Sequence, residues 1–153
     1  MNIRLIGVGK VRERYLAAAI DDFRRRLTPY HRLEEIDLRS VSGTEPARAV
    51  ARESTAILEA LKPGEDVWLL ERSGLQFSSD ELSKRLDQLT VGGTSQLTIV
   101  VAGTHGVNEA VMARANVLWS LSRLTFLHEW ARAIVFEQLY RAAKISRGEP
   151  YHH

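Results

Sequence analysis

Two short, largely apolar runs restrict the fold of this chain more than any other feature of its sequence. They are Val67–Leu70 and Leu97–Val101. Runs of this length that can be buried on both faces are typical of inner strands in a parallel sheet. Parallel strands must be joined by crossover connections, which are usually helices. The two runs therefore predict an α/β fold.

The rest of the chain supplies the alternation that such a fold requires. We expect further strands at 2–7, 33–38 and 116–119, and helices at 11–27, 47–61, 80–89, 107–113 and 130–145. Ser79 is the expected N-cap of the third helix, and residues 71–77 are expected to form a loop. Strands that alternate with helices predict a mostly parallel sheet with helices on both faces, in a single domain over residues 1–153.

Composition excludes several classes of protein. With 44% hydrophobic and 26% charged residues in 153, the chain matches an ordinary globular domain. It has no cysteine, which rules out disulfides, a thiol nucleophile and cysteine-based metal sites. The first residues lack the apolar core of a signal peptide, so we expect a cytoplasmic protein without membrane association. Arg supplies 17 of the 21 basic residues, which suits RNA binding but could equally reflect codon usage.

Three loops are candidates for a ligand site, because ligands of parallel sheets bind beyond the carboxyl ends of the strands. They follow Leu70, Val101 and Trp119. The loop Ala102–Gly106 could cradle an anion with its main-chain amides, or could be a plain turn into a helix. The loop Ser120–Phe126 carries three hydroxyls between apolar residues, which suits a partly apolar ligand.

Familiar catalytic motifs do not occur in the sequence. There is no Gly-x-Ser-x-Gly, no Walker loop and no His-Glu-x-x-His, and the histidines are not spaced as a metal set, so we predict no metal site. Gly7 and Gly9 lack the third glycine of a dinucleotide-binding motif. The helix 130–145 is apolar over much of its circumference. It could be buried on two sides, by the sheet and by a neighbouring helix or second subunit, or could present one broad core face.

Five sequence segments together resemble a known family. They are LIGVGK, VVAGTHG, LWSLSRLTF, EQLYRA and the terminal PYHH. In combination they resemble the RlmH family of SPOUT-class methyltransferases, over essentially the whole chain. The resemblance implies a homodimer whose C-terminal segment forms a trefoil knot. It further implies transfer of a methyl group from S-adenosyl-L-methionine to N3 of a pseudouridine in 23S ribosomal RNA of the ribosome.

The resemblance also assigns roles to individual residues. The implied cofactor-binding residues are Leu70, Ala102, Gly103, Leu121, Ser122, Arg123, Leu124, Thr125 and Phe126. The implied catalytic residues are His152, which assists proton removal, Tyr151, which stacks on or hydrogen-bonds the base, and Arg132, which holds phosphate or developing charge. The expected phosphate contacts on the first helix are Arg12, Arg14, Arg24, Arg25 and Arg26.

The chain departs from the family pattern at three places. Ala102 replaces a usual glycine, Leu127 replaces a usual proline before His128, and His153 replaces a terminal Lys or Arg. Main-chain contacts near Ala102 require that residue to have a negative φ. Two alternatives to a methyltransferase are a non-catalytic RNA- or ribosome-binding protein on the same fold and an enzyme for another nucleotide. The terminal histidines could also be a disordered tail or the remainder of a purification tag.

Overall fold

The computed structural model describes residues 1–151, which form a five-stranded parallel sheet covered by helices on both faces. The strands are β1 (Asn2–Val8), β2 (Arg32–Leu38), β3 (Asp66–Leu75), β4 (Gln96–Val101) and β5 (Val117–Trp119). The helices are α1 (Arg14–Leu27), α2 (Pro46–Ala60), α3 (Ser79–Val91), α4 (Glu109–Arg114) and α5 (His128–Ser146). The predicted fold class is confirmed for the α/β architecture and the parallel sheet.

The strand order β2-β1-β4-β3-β5 places the two apolar runs next to each other inside the sheet. Helices α1, α3 and α5 cover one face, where Ile99 and Trp68 pack against Val135 and Phe136. Helices α2 and α4 cover the other face. Because every strand runs in the same direction, all carboxyl ends lie along one edge of the sheet, which we call the carboxyl edge.

Helix α5 is buried on two sides within one chain. Its buried residues are Ala131, Arg132, Val135, Phe136, Leu139, Tyr140, Ala142 and Ala143. They pack between α1 and α3 and over the sheet. The wide apolar surface of α5 is therefore explained by contacts inside the subunit, and does not need a partner chain to cover it.

The predicted loop at 71–77 is wrong for most of its length, because β3 continues to Leu75. The pairing of β3 with β5 is irregular between Leu70 and Leu75, and both of these residues pair with Trp119. The Leu75 carbonyl accepts a hydrogen bond from the Ser120 amide at 2.8 Å. Gly74 permits this close pairing, since a Cβ there would lie 2.3 Å from the Leu118 carbonyl oxygen. The polar residues of this strand extension concealed it from the hydrophobic pattern.

Several helix boundaries also differ from the prediction. The N-cap of α3 is Ser78 rather than Ser79, and it forms a capping box with Glu81. Helix α1 begins at residue 14 rather than 11, because the amides of Arg12 and Glu13 donate instead to the Glu129 carboxylate on α5. The hydrogen bond from the Glu13 amide lowers the pKa of Glu129, and the hydrogen bond from the Arg12 amide lowers it further. The start of α1 is thus tied to the first turn of the last helix.

Candidate cofactor site

A cavity of about 660 Å³ opens at the carboxyl edge of the sheet. Its wall is formed mostly by the irregular part of β3 at residues 70–72 and by the loops after β4 and β5. The strand-end rule predicts the last two segments. Its lining consists of Leu70, Glu71, Arg72, Val101, Ala102, Gly103, Thr104, Gly106, Val107, Trp119, Leu121, Ser122, Leu124, Thr125, Phe126, Leu127, His128 and Ala131. The volume falls in the range of about 300–1,000 Å³ that is usual for sites of small molecules and cofactors.

Eight of the nine residues expected to bind the cofactor line this one cavity: Leu70, Ala102, Gly103, Leu121, Ser122, Leu124, Thr125 and Phe126. Arg123 is the exception, since its side chain is exposed and it does not belong to the lining. The structure therefore brings together segments that lie up to 56 residues apart in the chain, from position 70 to position 126. That these residues bind a cofactor stays a prediction.

The loop after β4 approaches the cavity mainly with its backbone. Gly106 has a φ of 80°, a conformation that favours glycine, whereas no other kind of residue within 1–151 has a positive φ. Ala102 therefore has the negative φ that main-chain contacts require. The alanine adds a methyl group to this wall without straining the backbone.

The loop after β5 is held by hydrogen bonds of its own hydroxyl groups. The Ser120 hydroxyl donates to the Ser122 carbonyl, and the Ser122 hydroxyl accepts from the Leu124 amide, both at 3.0 Å. Arg72 donates to the Thr125 hydroxyl across the cavity at 2.9 Å. These bonds fix the loop conformation without a ligand. Its apolar side chains and main-chain groups are consequently the parts best placed to contact one.

The first turn of α5 forms a part of the wall that was not expected from the sequence. His128 and Ala131 belong to the first turn of α5 and close the cavity from the side of that helix. The buried Nδ1 atom of His128 has no hydrogen-bond partner among the described residues. The sequence did contain a signal for this part of the wall, because α5 begins directly after the loop that follows β5.

Neither Arg132 nor Tyr151 belongs to the lining of the cavity within one subunit. Arg132 is 2% exposed, and its guanidinium donates to the Gly9 carbonyl at 3.0 Å and to the Asp37 carboxylate at 2.5 Å. It passes directly over Gly7, where a Cβ would lie 2.9 Å from the guanidinium carbon. Its proposed contact with substrate stays a prediction, and would require exchange of these partners. His152 lies outside the described residues.

Tyr151 packs against the middle of α5. Its hydroxyl is 3.2 Å from Glu137, and the guanidinium of Arg141 lies 4.8 Å from the centre of its ring. Burial, followed by the charge of Glu137, raises the pKa of Tyr151. The phenol therefore stays protonated at neutral pH, and is suited to donating a hydrogen bond rather than to accepting a proton. Arg141, which the sequence analysis did not single out, is the cation beside it.

Residues 1–151 contain neither a metal-binding cluster nor a membrane-spanning helix. No group of three or more histidine or acidic side chains in that range is arranged to hold a metal ion. No helix in the same range combines the length and the apolar character needed to cross a membrane.

Comparison with known proteins defines the class of this fold and site. Residues 1–152 match the model of a family described as "Predicted SPOUT methyltransferase". Because the match extends over nearly the whole chain, the protein belongs to the SPOUT methyltransferase family.

Relatives within that class share one name. The chain is 43% identical over 153 residues to "Ribosomal RNA large subunit methyltransferase H" of Gloeobacter violaceus, covering 100% of this chain and 99% of the relative. It is 39% identical to the protein of that name from Dictyoglomus thermophilum, with 100% of both chains covered, and 40% identical to that from Clostridium acetobutylicum, with 99% covered. The resemblance to the RlmH family is thereby confirmed.

Proposed function

We propose that the protein transfers a methyl group from S-adenosyl-L-methionine to N3 of a pseudouridine in 23S ribosomal RNA of the assembled ribosome. The observation that carries the proposal is the single cavity that collects eight of the nine expected cofactor residues at the carboxyl edge. Membership of the SPOUT family supplies the reaction class, and the names of the relatives supply the RNA. With a ribosomal substrate, the protein would act in the cytoplasm.

The chemistry of the cavity wall fits S-adenosyl-L-methionine. Apolar side chains such as Leu70, Leu121 and Phe126 alternate with main-chain groups of the two glycine- and serine-bearing loops. A flat apolar ring and a polar, charged amino-acid part need both kinds of contact. When bound, this cofactor supplies an electrophilic methyl group on a positively charged sulfur, which an attacking ring nitrogen takes in line. The residues of the wall would hold that methyl group in place and exclude water.

The position of Tyr151 supports the proposed homodimer. It contacts Tyr140, which is nine residues beyond Ala131, the last cavity residue on α5 (140 − 131), or about 14 Å at 1.5 Å per residue. If Tyr151 contacts the base, the tail of one subunit must act at the cavity of another. The site is then complete only in an assembly of two copies.

An apolar patch beside the cavity is suited to that second copy. Tyr15 and Trp130 are 58% and 45% exposed and have their ring centroids 6.0 Å apart, and Leu127 next to them is 71% exposed. Leu124 and Phe126, 70% and 38% exposed, continue the patch to the cavity mouth. Large apolar side chains clustered at one place commonly mark an interface. We assign the apolar patch, formed by these five residues, to the dimer.

The trefoil knot is part of the same proposal. It is supported by family membership and by the path of the chain, which leaves the edge strand β5, forms the third cavity loop and returns through α5 to the middle of the sheet. A knot of this segment would keep the loop 120–127 and α5 together as walls of one cavity. We expect the knot to be preserved in every member that binds the same cofactor.

The distribution of cations indicates where RNA would bind. Three of the five arginines expected to contact phosphate are already engaged by acids: Arg24 by Asp21 and Glu35, and Arg25 and Arg26 by Asp22 at 3.8 and 3.0 Å. Seven other cations are exposed at the carboxyl edge and form no ion pair within residues 1–151. This cationic rim consists of Lys10, Arg12, Arg14, Arg39, Arg48, Arg52 and Arg123. It surrounds the side on which the cavity opens, where a phosphate backbone would be drawn.

The three residues proposed to act on the substrate have separate roles. Tyr151, protonated at neutral pH, would stack on the extruded base or donate a hydrogen bond to it. Arg132 would hold phosphate or the charge that develops on the base. His152 would assist removal of the N3 proton. These assignments follow from the family resemblance and require the dimer described above.

The direct test measures methyl incorporation from labelled S-adenosyl-L-methionine into ribosomes that lack the modification. We expect label at one pseudouridine, and none with Gly103→Val, whose side chain would meet Glu53 and Val8 behind the cavity wall. Calorimetry separates the alternative of a non-catalytic ribosome-binding protein. Micromolar affinity for the cofactor supports the methyltransferase, whereas ribosome binding without cofactor binding supports the alternative.

A further inference from the structure

We propose that Glu53 and Ser54 on α2 are positioning residues that hold the cavity loop 102–108 and so set the affinity of the cavity for its cofactor. The inference rests on the proposed function for the identity of that cofactor. Neither residue lines the cavity. Both are polar, both are buried, at 5% and 0% exposure, and both face the loop from behind.

Ser54 fixes the end of the loop that leads into α4. Its hydroxyl oxygen accepts a hydrogen bond from the Asn108 amide at 2.9 Å. The side chain of Asn108 in turn accepts from the Val111 amide at 3.1 Å and caps α4. The start of α4 and the end of the loop are thus anchored to one buried hydroxyl.

Glu53 occupies the space behind the other end of the loop. One carboxylate oxygen accepts from the Val41 amide at 2.9 Å, and the other lies 2.8 Å from the point where a Cβ on Gly103 would be. Gly103 does not have a positive φ, so its backbone would tolerate any L-residue. A side chain at this position would therefore meet Glu53 first, with a further contact from Val8 at 3.2 Å.

The contact with Val41 gives Glu53 a second connection. Val41 belongs to the segment after β2 that also carries Arg39 of the cationic rim. A buried carboxylate is costly unless it is bonded, so the hydrogen bond from the Val41 amide helps to hold Glu53 in this position. Glu53 consequently joins a segment that faces the proposed RNA surface to the loop that forms the cofactor wall.

A double-mutant cycle tests the contact between Glu53 and Gly103. Gly103→Ala should raise the dissociation constant of S-adenosyl-L-methionine by about tenfold or more, and Glu53→Asp alone by less than about threefold. Aspartate keeps the carboxylate but withdraws it by one methylene, which makes room for the new methyl group. The double variant should therefore bind the cofactor at least about threefold more tightly than Gly103→Ala. Additive effects of the two changes would overturn the proposal.

Ser54→Ala tests the second anchor, with Thr55→Ala as the matched control. Thr55 is the next residue of α2, is exposed, and bonds only to the Ala51 carbonyl of its own helix. Ser54→Ala should raise the KM for the cofactor about tenfold and leave kcat at saturation within about twofold, because the loop is displaced while the reacting groups are unchanged. An equal effect of the two substitutions would contradict the assignment.

Hydrogen exchange separates a failure of this proposal from a failure of the proposed function. Without any ligand, the Asn108 amide should exchange at least about tenfold faster in Ser54→Ala than in Thr55→Ala. If the wild type bound no S-adenosyl-L-methionine but this difference were present, the proposed function would fail and the anchoring would stand. Equal exchange in the two variants would disprove the anchoring itself.

Discussion

Tyr151 packs edge-on against Tyr140, with 4.8 Å between the ring centroids, and so holds the tail against the middle of α5, outside the lining of the cavity. We predict that Tyr151→Ala reduces kcat for methyl transfer by about tenfold to a hundredfold, because loss of one base-stacking aromatic costs about 1–3 kcal/mol. The cofactor dissociation constant, measured by calorimetry, should stay within about twofold. A large loss of cofactor affinity would mean that Tyr151 contributes to the cofactor site and does not act on the base alone.

Complementation between subunits tests the same arrangement. Tyr151→Ala is mixed with Gly103→Val after reversible dissociation, so that half of the dimers contain one subunit of each kind. Each mixed dimer has one intact cavity that faces one intact tail. Activity should therefore recover to about a quarter of the wild-type value, as expected for composite sites at the contact of two copies. No recovery would show that each site is built within a single subunit.

The cationic rim and the paired arginines of α1 should differ in their effects on ribosome binding. We expect the double substitution Arg48→Gln and Arg52→Gln to weaken binding at low salt, and to reduce the slope of log affinity against log salt by about 1 to 2. These side chains are exposed and carry no acid partner within residues 1–151.

The matched control is Arg25→Gln with Arg26→Gln. Both residues are engaged with Asp22, so this change should affect the slope much less. Filter binding at several salt concentrations gives both slopes. A larger effect of the α1 pair would place the RNA surface on α1 instead.

The apolar patch should control the oligomeric state. Replacing Leu127 and Trp130 by glutamate puts charge into an interface that requires desolvation, and should shift the protein from dimer to monomer in sedimentation experiments. Val91 is 88% exposed and lies at the end of α3, outside the patch. Val91→Glu serves as the control and should leave the protein dimeric. If the control dissociated and the patch variant did not, the assigned interface would be wrong.

Stability should fall in mildly acidic solution because of His31. Burial, assisted by the N-terminal ammonium group, lowers the pKa of His31 to about 4. Between an ordinary pKa of about 6.5 and this value, the unfolded chain binds a proton that the folded chain does not. The free energy of unfolding should therefore decrease as the pH falls from about 6.5 to 4, by up to about 3 kcal/mol.

Urea denaturation at several pH values measures this dependence. His31→Gln should remove most of the decrease, because glutamine does not titrate. His105→Gln changes an exposed histidine in the cavity loop and should leave the slope unaltered. A slope that survives in His31→Gln would have to arise from other groups.

The sequence predicted the architecture because its main signals are local. The apolar runs at 67–70 and 97–101 and the spacing of apolar residues on the helices determined the order of elements and the parallel sheet. The extension of β3 to Leu75 was missed because pairing with β5 depends on a bulge and on the close approach of Gly74, which no hydrophobic pattern records. The late start of α1 was missed because it depends on Glu129, more than a hundred residues away.

The order of the strands and helices predicted where the site lies, but not the contacts between its residues. The strand-end rule selected the three loops, and family resemblance selected residues within them. Neither could show that Arg132 is enclosed by Asp37 and Gly9, since that contact joins α5 to the ends of two strands. The role of Glu53 was equally hidden, because one buried carboxylate in an amphipathic helix looks like any other polar residue until its neighbours are known.

Helix α5 has a consequence for the synthesis of the protein. It provides a wall of the cavity, packs against α1 and the middle of the sheet, and binds the amides at the start of α1. A nascent chain that still lacks residues 128–146 lacks this wall of the cavity. If the cavity binds the proposed cofactor, we expect binding only after these residues have left the exit tunnel, so that translation itself would delay the first moment at which the protein can become active.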